Sequence, residues 1–264
     1  MKVSINHRTV YSYDAPVRYA LQRLRLVPTS GRLQTVVEWS LEVEGADREV
    51  SFVDAFGNTS WLVSAHGEPH EIVITASGEV ETIDRAGVQG SHVGHAPLWL
   101  FQRPTPLTLA GERTTSIVEA AGGGDALTVL HAVNEALADA IVWEPGSTEV
   151  HMSGEEALQL GRGVCQDHAH AFIAAARSLG HPARYVSGYL LRDDAVEQAA
   201  SHAWAEAHVD GLGWVGFDPA NRQSPDGRYV RLAVGRDYRD AMPISGIVLG
   251  ATRETLAVTL TVEQ

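Results

Sequence analysis

The chain has one cysteine, and its neighbours suit a nucleophile. Cys165 lies in Gly161-Arg162-Gly163-Val164-Cys165-Gln166-Asp167-His168-Ala169-His170. The run that follows predicts a helix from about Cys165 to Leu179, stopped by Gly180 and Pro182. In a first helical turn, free N–H groups and the helix dipole stabilise a thiolate and can receive an oxyanion forming on a substrate. The two preceding glycines let a backbone or a substrate approach closely. Downstream, Ser201-His202-Ala203-Trp204-Ala205-Glu206-Ala207-His208-Val209 predicts a strand. Ala203, Ala205, Ala207 and Val209 form one small apolar face, and His202 stands on the other. A strand anchored by that face holds His202 rigidly, as a general base requires. Gly211 to Asn221 then predicts a hairpin whose second strand ends at Asp218, where Pro219 stops the pairing. Neighbouring hairpin strands bring Asp218 within reach of His202, where it would fix the imidazole tautomer and stabilise its charged form. Nucleophile, base and orienting acid together predict attack on an amide or similar acyl carbon through a thioester.

Each residue also has a plainer reading. A lone cysteine is often a small buried core residue, a strand can contain a histidine by accident, and Asp-Pro is a common turn. The rival chemistry is a metal site built from Asp167, His168 and His170, with His202 and His208 further on. Yet His168 and His170 are two apart, and on a helix such residues diverge by about 200°. Asp167 suits the dipole of a first turn. His168, one turn from Cys165, is placed to line the cleft, and His170 to be packed or solvated. Trp204 and Trp214 read as core or cleft wall. Gly122-Gly123-Gly124 lacks the Gly-Lys-Ser/Thr of a phosphate loop, and no EF-hand-like loop occurs, so no cofactor or metal is expected.

The elements that must position these residues fall into two groups. Residues 1–85 predict an all-β domain with strands near Val3–Tyr13, Thr35–Val43, Glu49–Phe52, Thr59–Ser64 and Glu71–Glu79, separated by turn-forming segments such as Phe56-Gly57-Asn58 and Ala65-His66-Gly67-Glu68-Pro69. Residues 86–110, richer in Gly and Pro, read as a connection. Residues 111–264 predict an α+β domain. Its helices run over Asp125–Ile141, Gly154–Leu160 and Cys165–Leu179, and its strands over Arg184–Leu191, His202–Val209, Trp214–Asp218, Tyr229–Val234 and Thr255–Val262. The last strand is expected to close the catalytic sheet.

Composition narrows the partners. With 33 acidic against 20 basic residues the formal net charge is −13. The chain has no Lys/Arg run, so nucleic acid and anionic membranes are not expected partners. A single cysteine permits no intrachain disulfide and fits a reducing compartment. The start, MKVSINHRTV, lacks a signal pattern, and no apolar run approaches the ~18–20 residues that span a bilayer. A cytoplasmic protein is expected.

Gly163-Val164-Cys165, Ala183-Arg184-Tyr185-Val186-Ser187-Gly188-Tyr189, His202-Ala203-Trp204-Ala205-Glu206 and Trp214-Val215-Gly216-Phe217-Asp218-Pro219 resemble the transglutaminase-like superfamily of papain-like thiol enzymes. Gln22 to Pro28, Asp54-Ala55-Phe56-Gly57-Asn58 and Gly235 to Asp240 resemble bacterial members that carry their own N-terminal β domain. The resemblance implies a papain-like core, a helix-borne cysteine packed on an antiparallel sheet, behind a small all-β domain. It places the nucleophile on Cys165, the base on His202 and the orienting acid on Asp218, and uses the cysteine N–H as one oxyanion donor. Active members share acyl transfer through a thioester and differ in the acceptor. Hydrolysis of a peptide, protein or small amide substrate is the expectation here. Transamidation and a non-catalytic binding protein on the same fold are the alternatives.

Overall fold

The computed structural model describes residues 1–65, 67, 69–192, 196–198, 200–250 and 253–264; His66 and Glu68 of the predicted turn lie outside the described residues. Six strands open the chain: β1 (Lys2–Tyr13), β2 (Tyr19–Val27), β3 (Gln34–Glu44), β4 (Asp47–Val53), β5 (Thr59–Ala65) and β6 (Glu71–Thr82). Alternation drives them. In β1, Val3 and Ile5 point inward, followed by the buried polar residues His7 and Thr9. Then come β7 (Val88–Gly90), α1 (Glu112–Ala121), α2 (Ala126–Ala140), β8 (Val142–Trp143), α3 (Gly154–Leu160), β9 (Arg162–Gly163) and α4 (Cys165–Ser178). The chain finishes with β10 (Ala183–Leu190), β11 (Glu197–Gln198), β12 (His202–Val209), β13 (Gly213–Phe217), β14 (Tyr229–Gly235), α5 (Tyr238–Ala241), β15 (Ile244–Leu249) and β16 (Glu254–Glu263).

Three larger sheets organise these strands. The central sheet has the order β14-β10-β12-β13-β7 and is antiparallel throughout. The N-terminal unit is a sandwich of two sheets, β11-β16-β1-β6-β3 and β15-β2-β5-β4. The last strand therefore does not close the central sheet. β16 pairs with β1 from Ser4↔Glu263 to Tyr13↔Glu254, and β15 pairs with β2 from Ile244↔Leu24 to Leu249↔Tyr19. The expected unit 111–264 is thus not closed on itself, because its last two strands complete the sandwich. The expected connection 86–110 in turn contributes β7 to the central sheet, through Trp214↔Gly90.

The central sheet is covered on both faces. Ala203, Ala205, Ala207 and Val209 of β12 pack with Ala169, Phe172, Ile173 and Ala176 of α4. On the other face Val186, Trp204, Tyr229 and Val234 form a cluster that takes in Phe56 of the sandwich. Tyr189, Val230 and Leu232 join the sandwich core of Val3, Leu24, Ile72 and Val262. Helix α4 is buried from Asp167 to Arg177, and its small alanines let the surrounding elements approach closely. Among the described residues no helix is long and apolar enough to cross a membrane.

Arg177 locks the far end of α4. Its guanidinium donates from Nε to Phe101 O (2.7 Å), from Nη1 to Thr108 Oγ1 (2.6 Å), and from Nη2 to Ala183 O (2.8 Å) and Arg236 O (2.7 Å). It ties the connection, β10 and the α5 approach to one helix. Replacing it with methionine keeps the volume and orphans four acceptors. Arg177→Met is expected to lower stability by about 3–5 kcal/mol, read as a reduced urea midpoint at unchanged m-value; a loss below about 1 kcal/mol would refute this role.

Candidate active site

The start of α4 explains its Gly-x-Gly approach. Gly161 ends α3 in the left-handed region at φ +71°, a conformation that favours glycine. At Gly163 a Cβ would lie 2.8 Å from Asp167 Cβ and Oδ2, so only glycine fits. Asp167, fully buried, accepts from Val164 N (2.8 Å) and Thr148 Oγ1 (2.7 Å) through Oδ2 and so caps the helix. The first backbone donors satisfied inside this turn are Asp167 N and His168 N, both to Val164 O. The N–H groups of Cys165 and Gln166 precede them. The Cys165 thiol is free and half-buried.

The structure brings Cys165, His202 and Asp218 together. His202 opens β12 opposite Gly188 of β10, and its Nε2 donates to Asp218 Oδ2 at 2.7 Å. With Nε2 so engaged, Nδ1 is the nitrogen left for Cys165, which lies close enough to bear on the ionisation of the ring. The ladder between β12 and β13 runs from Val209↔Gly213 to Ala205↔Phe217, so Asp218 stands one residue past it. Asp218 Oδ2 also accepts from Tyr229 Oη (2.7 Å) and Asn221 Nδ2 (2.8 Å), and Oδ1 from Asn221 N (3.3 Å). Gln223 Nε2 in turn donates to Tyr229 Oη (2.7 Å). The His202 ring is stacked near Trp204, centroids 6.2 Å apart at 25°, and meets Tyr229 edge-on at 5.8 Å.

Electrostatics follows from this geometry. Burial by itself would lower the basicity of His202, but the Asp218 carboxylate, its hydrogen bond and the contact with Cys165 outweigh that and push it up to about 10. Burial likewise works against ionisation of Asp218, yet His202 and the donors from Asn221 and Tyr229 hold it below the usual carboxylate range. On another side of the sulfur, Tyr185 and Tyr238 meet edge-on with centroids 5.9 Å apart. Burial first, and then the neighbouring Cys165, pushes the ionisation of both phenols up.

The remaining predicted residues have structural places. His168 does not line the cleft: its ring is buried, with Nδ1 2.9 Å from Val164 O and Nε2 3.0 Å from Ile141 O. His170 is fully buried against Tyr185 and accepts Tyr238 N at Nε2 (3.2 Å). Among the described residues no three of His, Cys, Asp and Glu are arranged to hold a metal ion. Sequence reasoning missed Tyr229 and Asn221, which share the Asp218 carboxylate. It also missed Trp143, which is 53% exposed and pairs with Gly163 two residues before the thiol. Only a registered fold could reveal Tyr229, because it arrives from β14. Asn221 was legible as a polar residue three positions beyond Asp218.

An α+β core with a helix-borne thiol on an antiparallel sheet, behind a β domain, defines a papain-like protein. Residues 115–219 match the transglutaminase-like superfamily core, and residues 3–81 match the bacterial transglutaminase-like N-terminal region. An uncharacterized protein of Mycobacterium leprae (strain TN) is 32% identical over 270 residues, 94% of each chain. An uncharacterized protein of Mycobacterium tuberculosis (strain ATCC 25618 / H37Rv) is 31% identical over 274 residues, 92% of this chain and 86% of that one. The chain belongs to the bacterial transglutaminase-like family. Its fold is similar to the crystal structure of a candidate cysteine protease from Cytophaga hutchinsonii, with a TM-score of 0.77 at 21% identity, covering 100% of this chain and 98% of that one.

The raised basicity of His202 has a signed consequence. A group whose folded-state pKa exceeds its unfolded value of about 6.5 stabilises the fold fully below that value and loses the contribution as pH rises through about 10. Wild-type stability is therefore expected to decline between about pH 7 and 10. In Asp218→Asn that slope should flatten, because the group that raises His202 is gone. Denaturant midpoints across this range check it, and parallel curves for the two proteins would count against the assignment.

Proposed function

We propose that this protein is a thiol-dependent acyl-transfer enzyme that hydrolyses an amide or peptide bond through a thioester on Cys165. The observation that carries this reading is a half-buried cysteine at a helix start, close enough to His202 to bear on its ionisation, with His202 Nε2 bonded to a buried carboxylate at 2.7 Å. His202 takes the thiol proton and remains beside the sulfur as an imidazolium. The thiolate attacks the substrate carbonyl, and the backbone N–H groups of Cys165 and Gln166 receive the oxyanion. His202 then returns the proton to the leaving amine, and water resolves the thioester with His202 as base. Asp218 holds the tautomer and stabilises the imidazolium without itself accepting the proton.

Water is favoured as acceptor because Cys165 is only half-buried. An enzyme that reserves its thioester for an amine must keep water away from it. Trp143, exposed and paired with Gly163 two residues before the thiol, is a candidate apolar wall for an acyl group with a hydrophobic side chain.

Two measurements test the reading. Iodoacetamide should label Cys165 rapidly well below the free-thiol pKa of about 8.5, and His202→Ala should lose that fast labelling. Against a panel of peptide amides, Cys165→Ala should cost about ten-thousand-fold or more in turnover, and Asp218→Asn less, because it orients and does not react. Mass spectrometry with and without a primary amine separates the acid product from a transamidated one. Near-wild-type turnover in Cys165→Ala would overturn the assignment.

A further inference from the structure

On the face of the central sheet turned away from α4, a cavity of about 400 Å³ opens at the seam with the sandwich. Its wall comes from four separate segments: the β2–β3 loop with Arg32, the β4–β5 turn with Phe56, the stretch around β7 with Gln89 and Val93, and the sheet with Arg184, Trp214 and Arg231. Three arginines line it, and no carboxylate does. That is unexpected in a chain with 33 acidic and 20 basic residues.

The three guanidinium groups are placed by specific contacts. Arg184 lies over the Trp214 ring, Cζ 4.0 Å from its centroid, and spends Nε (2.6 Å) and Nη2 (2.5 Å) on the buried Glu206 Oε2. Arg231 reaches the other oxygen of Glu206 only through Nε, at 3.7 Å. Its backbone is clamped by Gln34, which accepts from Arg231 N (2.8 Å) and donates to Arg231 O (2.8 Å). Arg32 is exposed and makes no ion pair among the described residues. Its Nη1 sits 2.5 Å from where a Cβ of Gly90 would be, and Gly90 is the strand partner of Trp214. The missing side chain of Gly90 is therefore the space into which Arg32 folds, on the strand beside the indole that carries Arg184.

Three guanidinium groups against one carboxylate leave two positive charges uncompensated at one spot. The cost of gathering them falls when a ligand brings the opposite charge. A phosphoryl group concentrates close to two negative charges on three acceptor oxygens and is matched by arginine forks. A cavity of this size also has room for an organic body, and Phe56, Val93 and Trp214 supply its apolar wall.

We propose that this seam cavity is a binding site for a small organic phosphate monoester, held by Arg32, Arg184 and Arg231 and separate from the Cys165 cleft. It depends on no step of the acyl-transfer chemistry, so it stands or falls independently of that reading.

Calorimetric titration of the full-length protein with phenyl phosphate, at constant ionic strength set by chloride, tests it. Saturable one-site binding is expected. It should weaken about tenfold or more in Arg32→Ala and in Arg231→Gln, and stay unchanged in Arg113→Ala, an exposed arginine elsewhere. Arg32→Ala removes no ion pair and should melt like wild type, so lost binding there is not lost folding. Absence of saturable heat would overturn the proposal. So would equal affinity in Arg32→Ala, or succinate binding more tightly than phenyl phosphate.

Discussion

The hydrogen bond from His202 to Asp218 lies where water cannot repair a fault. Asp218 is fully buried, and a buried carboxylate is tolerable only when its oxygens are occupied by donors. Much of the local structure follows from that requirement. The β12–β13 ladder ends one residue early, so that the Asp218 backbone can bridge to Gln223 and a short turn at Pro219–Asn221 can swing Asn221 onto the carboxylate. Arg222 leaves that turn at φ +53°, a left-handed conformation costing a non-glycine residue about 1–2 kcal/mol. It is held there by Asp139 (2.6 Å) and by the Ala138 carbonyl (3.0 Å) at the end of α2.

The same requirement reaches into the sandwich. Keeping Asp218 dry means covering the sheet on the side that α4 does not cover, and the sandwich does so. Phe56 belongs to the cluster of Trp204 and Tyr229, the two rings that contact His202. The N-terminal unit therefore acts as a backing for His202, behind the sheet. The return of β15 and β16 to β2 and β1 makes that backing permanent, since both ends of the chain are woven into the same two sheets.

Sequence patterns revealed what depends on local periodicity. The bounds of α3 and β12 were legible to the residue, because a Ser153 capping box and an alternating Ala face are local signals. Of the three proposed triad residues, Cys165 and Asp218 sit at element ends marked by glycine or proline, and His202 opens a strand marked by its alternating alanines. Strand β2 was not assigned on periodicity, because buried Gln22 and Arg25 interrupt its apolar alternation; Arg25 is there to bond Asp54. Helix α1 was missed because Glu112-Arg113-Thr114-Thr115-Ser116 offers little apolar face; Glu155 of α3 satisfies its first N–H groups instead. The partners of β15 and β16 were not legible at all, since pairing between opposite ends of the chain, such as Ile244 with Leu24 and Ser4 with Glu263, is a tertiary choice.

The three central residues also form a gradient of burial. Cys165 is half-buried, the His202 side chain is 11% exposed and that of Asp218 is 1% exposed. The order could not be reversed. A nucleophile must meet its substrate, so the sulfur belongs at the wet end. An orienting carboxylate must not be screened or protonated, so it belongs at the dry end, where its interaction with the imidazole is strongest. His202 spans the two because its ring has a separate nitrogen for each neighbour. A hairpin that starts at the surface and ends against the sandwich supplies that gradient with a single turn of chain.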